Sequence, residues 1–287
     1  MKLEEEHPKN IMVSVVKIVS MCLPIVLLVT LALTLHYSHI KPFQRGFFCN
    51  DHSLKYPYIE NQTVPQYICL LVWILISVFI ILFTQILLKS FSLQVIKEMI
   101  TGALCCILLT DIVKYSVGRL RPHFLSLCNP EYNTICFNED AYYNDGEEEF
   151  INDYYQKYVN ETQVCNNEKT QLLKEARLSF LSGHTSFSFY CATFLIIYMN
   201  VKTKLVKWVS KIVPYSQMLL VVLATWIGLT RISDYYHHPI DVFCGAITGI
   251  VVGLSFHKNI NTYHTQKDAQ HLSPCVDIDS TPTSRDA

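Results

Sequence analysis

An all-α integral membrane fold with six transmembrane helices is the class this sequence predicts, on three observations. Of 287 residues, 51% are hydrophobic and only 16% charged, with a mean hydropathy of +0.24, an unusual balance for a soluble globular domain. Apolar runs long enough to cross a bilayer recur six times along the chain. Lysines crowd into two short connections between those runs, the charge bias that marks a cytoplasmic face.

Residues 1–17 carry Glu4, Glu5 and Glu6 with Lys2, Lys9 and Lys17 and read as a solvated tail. The first span, Ile18–Leu35, is 18 residues without a formal charge, and Pro24 is tolerated because membrane helices accept kinks. A cleaved signal peptide is the competing reading, against which the run is longer than a typical h-region. Tyr67–Leu88 is uncharged throughout, whereas Met99–Gly118 is interrupted near its end by Asp111 and Lys114. Thr185–Val201, Ile212–Thr230 and Pro239–Phe256 complete a six-span domain over residues 18–256. Residues 257–287 turn polar, with Ser273-Pro274 and Pro282, and read as a disordered tail in which Cys275 is a weak palmitoylation candidate.

Six spans place both termini on one side, and parity then sorts the loops. Loops 89–98 and 202–211 hold Lys89, Lys97, Lys202, Lys204, Lys207 and Lys211 against Glu98 alone, so this face and both termini are expected to be cytoplasmic. Loops 36–66, 119–184 and 231–238 fall on the exoplasmic face, as do the glycosylation sequons at Asn61 and Asn160. Cys49, Cys128, Cys136 and Cys165 share that oxidising side and allow three full disulfide pairings, with no zinc-ligand spacing among them. The acidic run Glu139, Asp140, Asp145, Glu147, Glu148, Glu149 and Asp153 in the long loop 119–184 reads as a solvated face. A net charge of −1 argues against a nucleic-acid partner, and no glycine-rich phosphate loop is present.

Three polar clusters sit at exoplasmic ends of spans 3, 4 and 6, where burying charge needs a reason. In Lys114-Tyr-Ser-Val-Gly-Arg-Leu-Arg121-Pro122, the terminal cations stand seven residues apart, and two helical turns would bring both to one oxyanion. Snorkelling at a helix end is the plainer account. Ser182-Gly183-His184 offers a hydroxyl and open backbone N–H groups at a helix start, which is an anion site; N-capping by Ser182 explains the serine but not the histidine. In Arg231-x5-His237-x3-Asp241, one helical turn would let the carboxylate accept from an imidazole nitrogen and leave the other as nucleophile. His238, three residues from Asp241, is also within reach of it. A polar loop capping a membrane helix would account for this stretch without chemistry.

Lys114-x6-Arg121-Pro122, Ser182-Gly183-His184 and Arg231-x5-His237-x3-Asp241, in this order, resemble the three signature motifs of the type 2 phosphatidic acid phosphatase superfamily, and the chain resembles its animal lipid phosphate phosphatases. Arg45-Gly-Phe-Phe-Cys49, Arg121-Pro-His-Phe-Leu125 and Glu175-Ala-Arg-Leu-Ser179 extend the similarity. The pattern departs at Leu181, Thr230 and Pro239, of which the first two remove no ionisable group. The resemblance implies a magnesium-independent phosphomonoesterase without cofactor. It would act on phosphatidate, lysophosphatidate, sphingosine 1-phosphate or ceramide 1-phosphate at a plasma or secretory-pathway membrane. His237 would be the nucleophile, Asp241 its orienting carboxylate and His184 the general acid, with Lys114, Arg121, Ser182, Gly183 and Arg231 holding the phosphate. The same resemblance leaves room for a homo-oligomer, for a catalytically silent lipid-binding relative and for polar phosphate substrates. A transporter is disfavoured because no pair of broken spans occurs in matching halves.

Overall fold

The computed structural model describes residues 19–20, 22–34, 40–89, 91–131, 135–136, 157–160, 165, 170–203 and 207–272. The N-terminal tail, the acidic run 139–153, Thr162 of the second sequon and residues 273–287 with Cys275 lie outside the described residues. The helices are α1 (Cys22–Thr34), α2 (Gln66–Leu87), α3 (Leu93–Val117), α4 (Phe124–Cys128), α5 (Thr170–Glu175), α6 (Gly183–Thr203), α7 (Lys207–Ser233) and α8 (Pro239–Leu272). A two-residue antiparallel ribbon pairs β1 (Phe47–Phe48) with β2 (Tyr158–Val159).

Helix α6 is the axis of the bundle, packed by α8, α7, α3 and α2. Its Tyr190, Phe194, Leu195 and Tyr198 are buried together with Trp73 of α2 and Cys106 of α3. Because α6 meets protein on most sides, it carries hydroxyls that pair across helices. Trp73 Nε1 donates to Ser188 Oγ at 2.9 Å, Thr110 and Ser186 share a bond at 2.9 Å, and Tyr190 Oη donates to the Met99 carbonyl at 2.7 Å. The outer helices are built the other way round: Phe79 and Ile86 of α2 and Met218 and Leu219 of α7 are exposed, as a lipid-facing surface requires.

Gly245, Gly249 and Gly253 recur every fourth residue along α8 and let its backbone approach α6. A Cβ on Gly249 would lie 2.2 Å from the Ser186 carbonyl oxygen, and one on Gly253 2.8 Å from Thr193 Cβ. Small residues at this spacing let two helices meet without lipid between them.

Among the described residues three helical stretches are long and apolar enough to cross a membrane: Gln66–Leu87, Val209–Ser233 and Pro239–Phe256. The sequence expectation was six. Helices α3 and α6 reach 25 and 21 residues, long enough to span, but their inward faces carry charge and hydroxyls, and the described part of the first apolar run, Cys22–Thr34, is short. Helix α8 continues past the expected Phe256 boundary to Leu272. No Pro or Gly interrupts residues 257–272, so the helix propagates into polar sequence where a disordered tail was expected.

At one end of the bundle a second core gathers Phe47, Leu54, Leu120, Phe124, Leu125, Val159, Leu173 and Ala176. Disulfides Cys49–Cys136 and Cys128–Cys165 tie it together. Gly118 ends α3 at φ +57° with Phe43 O only 1.9 Å from where a Cβ would sit. A residue without a side chain is needed there to turn the chain into this cap.

Candidate active site

The three clusters meet in one cavity of about 160 Å³ lined by Lys114, Arg121, Gly183, His184, Arg231 and His237. Helix α3 delivers Lys114 from its last turn, and Arg121, past the Gly118 turn, is fixed by its N–H bond to the Ala176 carbonyl at 2.8 Å. Helix α6 begins at Gly183, and a Cβ there would stand 3.0 Å from Lys114 Nζ. A glycine at this position therefore lets the ammonium lie against the helix start. Arg231 closes α7, and its carbonyl accepts from the N–H groups of both Tyr236 and His237 at 3.1 Å. That turn swings His237 back over the cavity.

Arg231 is gripped from behind. Its Nη1 donates to the Val64 carbonyl at 2.7 Å and its Nη2 to Gln62 Oε1 at 3.1 Å. Its guanidinium carbon lies 4.8 Å from the centre of the Tyr236 ring, and that of Arg121 lies 5.2 Å from it. One aromatic ring thus braces two cations. Asp234, 3.9 Å from Arg231, accepts from the Thr63 N–H and hydroxyl at 2.9 and 2.7 Å. Arg121 Nε, Arg231 Nε and His184 Nε2 are buried without a hydrogen-bond partner among the described residues, and all three side chains line the cavity. The two guanidinium N–H groups are buried donors left open, and such donors mark a place built for an acceptor.

His237 is 4% exposed, and its Nδ1 lies 2.6 Å from the Ser179 carbonyl oxygen. A carbonyl only accepts, so Nδ1 carries the proton and Nε2 keeps the lone pair. Burial, then the charges of Arg121, Lys114 and Arg231, hold the imidazole well below its ordinary pKa, in the neutral form. His238 turns elsewhere: its Nε2 sits 3.1 Å from the Leu120 carbonyl, and it lines a separate cavity of about 460 Å³ with Arg45, Asp51 and Arg119.

Ser182, expected as a phosphate ligand, and Asp241, expected to orient His237, stand outside the cavity. Ser182 is fully buried, its hydroxyl bonded to that of Thr185 at 2.9 Å and its N–H to the Asp241 carbonyl at 3.1 Å; it caps α6. Asp241 does not bond His237, contrary to the helical-register expectation. The helix begins at Pro239, so His237 precedes it and the one-turn spacing does not apply. Asp241 is the third helical residue, and its carboxylate reaches back to the His238 N–H at 3.0 Å as in a capping box. It also accepts from Ser179 Oγ at 2.6 Å and pairs with Arg119 at 2.6 Å. Sequence reading passed over Arg119, Ser179 and Gln62 as site residues; Arg119 lies inside the first polar cluster and Ser179 three residues before the second, and only those positions could have flagged them. Asn61 and Asn160 are both exposed. Among the described residues no group of three or more His, Cys, Asp and Glu is arranged to hold a metal ion.

The buried histidines set the response to acid. His123, 1% exposed, is lowered to about 4 by burial and the Arg121 charge, and His237 is lowered as well. The unfolded chain takes up these protons from about pH 6.5 downward while the fold resists them. Stability should therefore fall as pH drops from about 6.5 toward 4, read as a lower thermal midpoint at pH 5 than at pH 7 in the same detergent. Equal midpoints would contradict it.

A family model for the PAP2 superfamily matches residues 95–264, the stretch that carries all three clusters. Phospholipid phosphatase 1 of Rattus norvegicus is 36% identical over 86% of this chain and 89% of its own length. Phospholipid phosphatase 2 of Bos taurus is 30% identical over 84% of the chain and 82% of its own length. The chain belongs to the PAP2 superfamily, among the phospholipid phosphatases. No solved structure matches it.

Proposed function

We propose that this membrane protein is a lipid phosphatase that hydrolyses phosphomonoesters such as phosphatidate, lysophosphatidate, sphingosine 1-phosphate and ceramide 1-phosphate through a phosphohistidine. The observation that carries this reading is the convergence of Lys114, Arg121 and Arg231 on His184 and His237 in one cavity. Three cations match a phosphoryl group whose equatorial oxygens stay charged in the transition state, and they supply this stabilisation without magnesium. His237 Nε2 attacks phosphorus, forming the N–P bond as the P–O bond to the lipid alcohol breaks. His184, lowered to about 3 by burial and the neighbouring cations, takes up a proton as the phosphate dianion binds beside it and gives that proton to the departing alkoxide. Water then attacks phosphorus, the N–P bond breaks, and His184 takes the proton back while phosphate leaves.

The cavity's flank favours a lipid over a polar ester. Helices α2 and α3 both pack on α6 yet hardly touch each other. The cavity is lined by Cys69 and Leu70 of α2 and Ile107 of α3. An acyl chain can lie along that lining with the headgroup at the cations. The lysine bias favours a site on the extracellular or luminal face, where the sequons at Asn61 and Asn160 also fall, with both termini in the cytoplasm.

Brief exposure of purified protein to a lipid substrate labelled in its phosphate should trap label in an acid-labile, alkali-stable bond on histidine, and turnover should persist in EDTA. Turnover without trapped label, or its loss in EDTA, would overturn the mechanism.

A further inference from the structure

Ser179, fully buried, joins the first and third clusters. Its N–H donates to the Arg119 carbonyl at 3.0 Å, its hydroxyl to Asp241 Oδ2 at 2.6 Å, and its carbonyl faces His237 Nδ1 at 2.6 Å. The other oxygen of Asp241 is held by Arg119 Nη1 at 2.6 Å. A continuous chain therefore runs from the Arg119 guanidinium through the Asp241 carboxylate and the Ser179 hydroxyl to the carbonyl that sets the imidazole's tautomer. Every donor found on the Asp241 carboxylate comes from Arg119, Ser179 or the His238 backbone, and none from His237.

We infer that Ser179 and Arg119 are positioning residues for His237, and that Asp241 acts on the imidazole through Ser179 rather than by direct contact. The inference rests on His237 being the nucleophile. Ser179 belongs to a connecting segment, between α5 and α6, that no helix ladder holds in place, so its carbonyl needs an anchor. The hydroxyl supplies it, because a bond to a charged carboxylate is about twice as strong as one between neutral groups. Arg119 in turn holds the carboxylate from its far side. If the hydroxyl is lost, the Ser179 carbonyl can still accept from Nδ1 but is free to swing, and the lone pair on Nε2 loses its aim at phosphorus. Misplacement of a reacting group by about 1 Å costs on the order of a hundredfold in rate.

A double-mutant cycle on the full-length protein tests this. Ser179→Ala should lower kcat by about ten- to a hundredfold with KM changed by less than about threefold, because Lys114, Arg121 and Arg231 are untouched. Ser179→Thr, which keeps the hydroxyl, and Arg119→Lys, which keeps the charge, should each retain more activity than Ser179→Ala and Arg119→Gln. Asp241→Asn should lower kcat, and adding Ser179→Ala to it should cost little more, since residues acting as one unit are not additive. Thermal midpoints show which variants are folded, and the conservative pair keeps the comparison open if Arg119→Gln is not. Factors that multiply in the double mutant, or a Ser179→Ala loss confined to KM, would overturn the inference while leaving the phosphatase reading intact. A fully active His237→Ala enzyme would overturn both.

Discussion

His237→Ala abolishes phosphate release, by a factor of at least about 10⁴, while the protein keeps its fold and its affinity for a phosphate ligand. The imidazole lines the cavity beside Lys114, Arg121 and Arg231, and its Nε2 keeps the lone pair, since Nδ1 is committed to the Ser179 carbonyl. His238→Ala leaves turnover within a few-fold, because its ring is turned to Leu120 and the second cavity. Initial rates on a lipid panel in detergent, with thermal midpoints for both variants, make the comparison. The reverse outcome, a dead His238→Ala and an active His237→Ala, would remove the nucleophile assignment altogether.

Gly249→Leu gives a loss of comparable size by another route. A single Cβ at this position already falls 2.2 Å from Ser186 O and 2.8 Å from the Tyr190 backbone nitrogen, and neither is a flexible side-chain end that can step aside. The two backbones must separate. Overpacking of this kind costs about 1–3 kcal/mol when a core can adapt, and here it lies between rigid helices. Helix α6 carries His184 and α8 carries Asp241, so their separation opens the cavity as well as the bundle. The expected result is little folded protein after detergent extraction, with the residual specific activity strongly reduced. Gly249→Ala should show the same direction to a lesser degree. A Gly249→Leu protein with wild-type midpoint and activity would mean the helices do not pack this closely.

Much of this site was legible in the chain because charge beside apolar sequence is conspicuous. Lys114, Arg121, His184, Arg231 and His237 could be picked out individually, and all five line the cavity. The role of Asp241 could not be read, because its partners depend on the helix starting two residues earlier, at Pro239. Ser182 shows the same limit, since a helix cap and an anion ligand require the same residue at the same place. For α6 hydropathy misleads in a physical way: a helix surrounded by other helices is free to be polar, and its hydroxyls pair with α2 and α3. The Gly245-x3-Gly249-x3-Gly253 pattern stood in the sequence and would have identified the most closely packed pair. Arg119 and Ser179 had no such periodicity to give them away.

The grip of Asp234 on Thr63 also has a place in time. Thr63 is the hydroxyl residue of the Asn61 sequon, and in the finished protein its N–H and Oγ both bond a carboxylate 171 positions later in the chain. That hydroxyl is free only until the end of α7 has been made and docked. While the distal half of the chain is still being synthesised, the Thr63 hydroxyl has no such partner, and the closing of the segment behind Arg231 takes it out of reach.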